Sequence, residues 1–307
     1  MKILITGAEG QLGKNLIYKK PFYINDKKLK IILASKKDLD LSNEFSCKDF
    51  ILKNKPDWII NCGAYTNVDN AENKKELANL INGKGPYFLA KYLSYYGGKL
   101  LHISSDFVFD GNSNEAYEIS HPINPINAYG KSKALAEELL LNDNNFKNIH
   151  IIRTSWLISN IGNNFLIKIL KLISEKDVLN VVNDQIGCVT SATNLAEICW
   201  KLIKLENNGI KIPNILHFSD SGICTWFDVA STIYEFINEK GILKKNIEII
   251  PVKSNFFNLP AKRPKFSLLN SQETYKILNF TPTHWRKSIN LLLDSLDKNI
   301  LTKLKDQ

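Results

Sequence analysis

The chain has 307 residues, 44% of them hydrophobic and 23% charged, an ordinary globular balance with length for one large or two modest domains. Its net charge of +9 does not point to nucleic acid, because Lys outnumbers Arg 37 to 3, the lysines are spread evenly, and no recognition motif accompanies them. No apolar run approaches the roughly 20 residues of a membrane span, and MKILITGAEG is broken too early by Gly and Glu to be a secretory signal. The five cysteines (Cys47, Cys62, Cys188, Cys199, Cys224) are scattered without CxxC spacing, which favours neither zinc nor a disulfide frame and suits a reducing cytoplasm.

In chain order, short apolar runs predict buried strands at KILIT (2–6), KIILAS (30–35), DWIINCGA (57–64), KLLHISS (99–105) and IHIIRTS (149–155). Helical patterns lie between them, at Gln11 to about Lys20, at 71–97 and from Ala128 onward. This β–α alternation predicts a doubly wound parallel sheet of Rossmann type over residues 1–155. After Trp156 the rhythm changes. Helices are expected at 163–176, 194–207 and 225–241, the last opened by Thr225 with Asp228 three positions on and closed at Gly241. Strands are expected at VLNVVND (178–184), NILHFSD (214–220) and IEIIPV (247–252). The expectation is a smaller α+β substrate domain over 156–307, with residues 186–225 returning to the first domain.

ILITGAEGQLGKNL sets Gly7, Gly10 and Gly13 directly after the first strand and into a helix. Glycines there permit a tight turn and close approach of backbone to a pyrophosphate, which sits on the helix N-terminus. The alternative is a merely structural turn. Tyr and Lys four apart share one helical face, and the chain holds four such pairs: Tyr23/Lys27, Tyr87/Lys91, Tyr95/Lys99 and Tyr129/Lys133. Spacing alone does not choose among them.

The GxxGxxG variant resembles the extended branch of the short-chain dehydrogenase/reductase superfamily, which pairs a Ser or Thr at a strand end with a Tyr-x-x-x-Lys helix. Only Tyr129/Lys133 follows such a strand end, HISSDFVFDG, and opens a helix. The resemblance therefore implies Ser105, Tyr129 and Lys133 as catalytic residues. The chemistry is coherent: a free Tyr has a pKa of about 10, a nearby ammonium favours its phenolate, and a hydroxyl steadies a developing oxyanion. Ser104 competes with Ser105, but its side chain falls on the opposite face of the strand.

The blocks NCGAYTNVDNAE, HISSDFVFDG, PINAYGKSK, IIRTSW, GNNF, NDQIGCVT and AKRPKFSLLN together resemble the dTDP-4-dehydrorhamnose reductases, in order from Met1 to about Trp285. That resemblance implies NAD(P)H-dependent reduction of a sugar 4-ketone. It implies cofactor contacts at Gly10, Gln11, Leu12, Asp40, Leu41, Ala64, Tyr65, Thr66, Tyr129 and Lys133, and substrate contacts at Ser105, Asp106 and Trp156. The residues also admit plainer readings: Asp40 and Leu41 as a loop, Thr66 as a helix cap, Asp106 as a turn cap, Trp156 as core. Arg263, one of three arginines, is a candidate clamp for the substrate diphosphate or a surface residue. Ser105 stands where the family commonly has Thr and Phe107 where Tyr is usual. Asn15 replaces a metal-bridging, dimer-forming Glu of some relatives, so no metal is expected.

The second strand ends at Ser35 and runs into Lys36 and Lys37, with Asp38 beyond the place where an NAD-binding carboxylate belongs. Ser35 and Lys36 suit a 2′-phosphate, so NADPH is the expected cofactor, with NADH possible. The expected partner is a small nucleotide sugar, with no nucleic acid and no membrane, and the oligomeric state is left open between monomer and homodimer. Two alternatives remain at this point: a reductase of another nucleotide-deoxysugar, and a dinucleotide-binding regulatory subunit without turnover.

Overall fold

The computed structural model describes residues 1–243 and 245–296. Its main elements, in chain order, are β1 (Lys2–Thr6), α1 (Gln11–Tyr18), β2 (Lys30–Ala34), α2 (Glu44–Asn54), β3 (Trp58–Asn61), α3 (Gly85–Ser94), β4 (Lys99–Ser105), α4 (Ala128–Asn142) and β5 (Ile149–Thr154). There follow α5 (Phe165–Glu175), β6 (Val178–Val182), α6 (Ala192–Asn207), β7 (Ile215–Phe218), α7 (Trp226–Glu239), β8 (Glu248–Val252) and α8 (Trp285–Asp294).

Six strands form one parallel sheet in the order β7-β5-β4-β3-β1-β2. The connections turn one way from β1 to β2 and the other way to β3. The crevice beyond the carboxyl ends of β1 and β3 is therefore the topological switch point, where open α/β sheets bind ligands. Both faces of the sheet are covered, which is why its inner strands read as unbroken apolar runs. Ile3, Ile5, Ile60 and Leu101 pack against Leu12 and Leu16 of α1 and against Leu195 and Leu202 of α6. Leu4, Ile59 and Leu100 pack on the other face against Ile51 of α2, Leu89 of α3 and Leu140 of α4. Each such fully buried side chain stabilises the fold by about 1.5–3 kcal/mol.

Later residues join this sheet: α6 lies against α1, with Trp200 Nε1 donating to Leu16 O at 3.1 Å, and β7 pairs with β5 from Ile215↔Ile151 to Phe218↔Thr154. The remaining chain builds a second core around a parallel pair, β6 with β8, in register from Val178↔Glu248 to Val182↔Val252. Ile169 and Ile173 of α5, Val229 and Ile233 of α7 and Ile289 of α8 fill it. Residues 297–307 of the expected second domain lie outside the described residues.

Several expectations need correction. The pattern at 71–97 is not one helix. It divides into Val68–Asn73, Lys75–Ala78, a π turn at Asn79–Lys84, and α3. Pro86 has no N–H to return to the carbonyl four residues back, so the helical register shifts there. The third strand stops at Asn61, because residues 62–64 leave the sheet to cross its end. Helices α2 and α8 carried no expectation. The Thr225–Asp228 capping box is present in both directions, and Gly241 follows α7 at φ +61°. Among the described residues, no helix is long and apolar enough to cross a membrane.

Candidate active site

The glycine turn after β1 is shaped by contact. Gly7 has φ +59°, and a Cβ there would lie 2.8 Å from Gly63 Cα in the loop after β3. Gly13 lets α1 close on that turn, since a Cβ there would meet Gly7 O at 2.5 Å and Ala8 Cα at 2.7 Å. Gly10 caps α1 in extended conformation with no side-chain acceptor, leaving the helix N-terminus to an anion. Gln11 begins the helix with a buried Oε1 that lacks a partner, and Leu12 is buried beneath it. The open N–H groups fit the anionic pyrophosphate of a dinucleotide, and the Gln11 amide oxygen is left to accept from a ligand hydroxyl.

After β2, the Ser35 hydroxyl and N–H both donate to Asp38 Oδ2, at 2.7 and 2.9 Å. Asp38 stands four residues past the end of β2, as expected, but the turn folds its carboxylate back onto Ser35. These donors hold Asp38 below the usual carboxylate range, and Lys36 stays exposed beside it. Asp40 accepts from Ser42 N and Oγ at 3.0 and 2.7 Å, while Leu41 is buried against Gly63 and Gly85. In the loop after β3, Ala64 and Tyr65 are half-buried and Thr66 exposed. Thr66 is not a cap; Asn67 caps the next turn. Tyr65 is held by a residue that sequence reasoning missed: Asn82, in the π turn, accepts from Tyr65 N at 2.7 Å and donates to Tyr65 O at 3.0 Å and to Ser132 Oγ at 2.9 Å. The signal available was the Gly-rich break NGKGP inside an otherwise helical pattern.

At the end of β4, Ser105 is placed toward α4. Its hydroxyl donates to Asp106 Oδ1 at 3.0 Å and accepts from Phe107 N at 3.2 Å. Ser104 also reaches α4 but farther along it, donating to the buried Glu137 that pairs with Arg153 at 2.7 Å. Helix α4 is capped by Asn127, whose Oδ1 accepts from Gly130 N, and it carries Tyr129 and Lys133 toward the sheet. The Tyr129 ring meets Phe107 edge-on at 5.7 Å. Its phenol is pushed up to about 12 by desolvation, with the Ser105 hydroxyl opposing. That differs from the expectation of a phenol lowered by Lys133, whose ammonium turns instead to the Ile103 carbonyl. Burial holds Lys133 down to about 8.

An open cleft of about 1750 Å³, lined by Ser105 and Tyr129, reaches to Ile169 and Leu179 of the second core. Asp106 lines it with a buried, unpartnered Oδ2, and burial raises its carboxyl to about 7. Trp156, at φ +44°, stacks on Trp226 with ring centres 3.8 Å apart and planes 10° apart, so it is cleft wall and not plain core. Sequence reasoning missed Trp226, and also Gln185, which accepts from its indole at 3.1 Å. Arg263 lines the same cleft while bonding Asp69 at 2.7 Å and Ala261 O at 2.8 Å. Asn15 is buried and bonded to Gln11 O, Ser159 and Thr193. Among the described residues, no group of three His, Cys, Asp or Glu side chains is placed to hold a metal ion.

Comparison with known proteins identifies the family. The RmlD substrate binding domain model matches residues 1–298. Spore coat polysaccharide biosynthesis protein SpsK of Bacillus subtilis is 35% identical, over 94% of this chain and 95% of its own. The dTDP-4-dehydrorhamnose reductase of Aggregatibacter actinomycetemcomitans is 32% identical, over 94% of this chain and 97% of its own. The crystal structure of dTDP-4-dehydrorhamnose reductase from Bacillus anthracis in complex with NADP superposes with a TM-score of 0.85 at 33% identity, covering 95% of this chain and 98% of that one. Matched by one family model over nearly its whole length, and by reductases about a third identical across 94% or more of it, the chain belongs to the dTDP-4-dehydrorhamnose reductase family.

Proposed function

We propose that this protein reduces the 4-keto group of dTDP-4-dehydro-L-rhamnose to give dTDP-L-rhamnose, using NADPH in preference to NADH, in the cytoplasm. The observation that carries the reading is Ser105 and Tyr129 together in the lining of one large cleft, in a chain whose first β–α turn is shaped for a dinucleotide. Residues 1–155 with 186–225 serve as the dinucleotide-binding domain, and most of 156–307 serves as the substrate domain. Gly7, Gly10, Gln11, Leu12 and Gly13 would hold the pyrophosphate, and Asp40, Leu41, Ala64, Tyr65 and Thr66 the adenosine half. Ser35 and Lys36 would meet the 2′-phosphate, and Tyr129 and Lys133 the nicotinamide ribose. The relative crystallised with NADP supports the cofactor assignment.

When bound, the reduced nicotinamide supplies the hydride. Ser105 rotates its hydroxyl from Asp106 to the ketone oxygen and steadies the charge that gathers there. Tyr129 gives its phenolic proton to that oxygen. A phenol raised to about 12 is fully protonated at neutrality and ready to donate. Lys133 places positive charge below the phenolate that remains. Trp156 gives the sugar ring an apolar face, and Arg263 offers a forked donor to the diphosphate.

A coupled assay tests this: dTDP-glucose, the upstream dehydratase and epimerase, this protein and NADPH, with product followed by mass. The expected result is dTDP-L-rhamnose. Turnover of a different ketosugar alone would overturn the substrate, and tight cofactor binding with no turnover of any ketosugar would mark a regulatory subunit.

A further inference from the structure

Beneath the cofactor loops runs a line of buried polar groups that the reaction as described leaves unused. Gly63 N donates to Thr6 Oγ1 at 3.1 Å, and Thr6 Oγ1 donates to Asn61 Oδ1 at 2.6 Å. Asn61 Nδ2 lies 3.0 Å from His102 Nδ1, and His102 Nε2 lies 3.4 Å from Lys133 Nζ. Thr6, Asn61, His102 and Lys133 are each no more than 2% exposed, so water does not substitute for a missing partner.

The direction of the line fixes the protons. A backbone amide can only donate, so Thr6 Oγ1 accepts from Gly63 and sends its own proton to Asn61 Oδ1. The Asn61 NH₂ must then face His102, whose Nδ1 accepts and whose ring proton sits on Nε2. The opposite amide orientation strands the Thr6 hydroxyl proton. A cationic ring is disfavoured because burial and then the neighbouring Lys133 hold His102 well below its ordinary range.

We propose that His102 is a positioning residue for Lys133: the buried line holds its imidazole as the Nε2-protonated tautomer, and that N–H, aimed at Nζ, favours the free amine over the ammonium. The proposal rests on reading Lys133 as part of the reductase site. The other titratable groups facing Lys133 are Cys62 from the loop after β3 and Glu137 from its own helix. Glu137 is already engaged by Arg153 and Ser104. Nζ also donates to the Ile103 carbonyl, which fixes its place against β4. His102 thus adds to burial in lowering the proton affinity of Lys133, which remains a cation below pH 8, and Gly63 ties that setting to the loop against Gly7.

The test uses the free protein. The lysine ¹³Cε resonance that disappears in Lys133→Met reports the titration of Lys133. In His102→Leu, loss of the N–H donor should raise the proton affinity of Lys133 about tenfold, while His102→Gln, which keeps a donor, should stay within about twofold of wild type. An unchanged or lowered affinity in His102→Leu would overturn the proposal. If that variant does not fold, ¹⁵N shifts of the wild-type imidazole decide: the Nε2-protonated form supports the proposal and the Nδ1-protonated form refutes it. Neither readout involves sugar turnover, so the proposal and the enzymatic reading can fail separately.

Discussion

Arg263 reaches from the chain after β8 to Asp69 in the turn behind β3, with Nη2 2.7 Å from Oδ2. Both side chains are partly exposed, 21% and 33%, so the pair contributes under about 1 kcal/mol to stability. Its effect is positional: it holds a guanidinium at the cleft. Arg263→Lys should raise the KM for the nucleotide sugar about tenfold with kcat nearly unchanged, because a point charge replaces a fork. Asp69→Asn, which loosens the tether but keeps the fork, should raise KM about threefold. Equal losses of kcat in both would show a structural tie only.

Asp106 has a pKa raised to about 7, chiefly by burial, and its Oδ1 accepts the Ser105 proton. Below pH 7 the neutral acid competes weakly for that proton. As pH rises through 7, the carboxylate holds Ser105 and places negative charge near a developing oxyanion. The kcat/KM of the wild type should therefore fall along a limb near pH 7, and Asp106→Asn should lose that limb. A limb retained in the variant would assign it to another group.

Lys133 is a buried cation whose folded pKa, about 8, lies below its unfolded value near 10.5. The unfolded chain binds more protons between those values, so this residue makes stability rise with pH across that window. Below pH 8 its full cost is present. Lys133→Met should then stabilise the free protein at pH 7 by about 1–3 kcal/mol while abolishing turnover. Thermal unfolding would show it, and a lower Tm in the variant would mean the ammonium is better satisfied than its contacts suggest.

The place of Asp38 bears on cofactor choice. Its carboxylate at the end of β2 opposes a 2′-phosphate, and exposed Lys36 attracts one. NADPH should be preferred over NADH about tenfold, or 1.4 kcal/mol. Lys36→Ala should reduce that ratio and Asp38→Asn should increase it. Salt should weaken the preference. Comparison of kcat/KM for both cofactors checks this; a wild-type preference for NADH would reverse the assignment.

Local sequence wrote the sheet clearly. All five strands expected in the first half are present: the inner four are buried on both faces, while the edge strand β2, exposed at Leu33, is read from the apolar run KIILA. Asn82, Trp226, Gln185 and the fold-back of Asp38 were not legible, since each acts through a partner distant in sequence or through a turn that no hydrophobic period reports. Helix α2 was hidden for a related reason: EFSCKDFILKN is mostly polar, and only Cys47 and Ile51 are buried. The choice of Tyr129 over Tyr87 needed chain order, and the structure explains why it matters. Tyr87 OH lies 3.4 Å from Asp143 and its ring packs on Phe146, just past the C-terminal end of α4, whereas Tyr129 lies in its first turn and lines the cleft.

The central claim is that Tyr129 delivers the proton to a sugar ketone. The direct measurement is kcat with NADPH and dTDP-4-dehydro-L-rhamnose for wild type, Tyr129→Phe and Tyr87→Phe, with NADPH binding measured on the same samples. Tyr129→Phe should bind NADPH as wild type does and lose about 10²-fold or more in kcat, the scale of a positioned general acid, while Tyr87→Phe should remain near wild type. Turnover retained in Tyr129→Phe, or an equal loss in Tyr87→Phe, would contradict it.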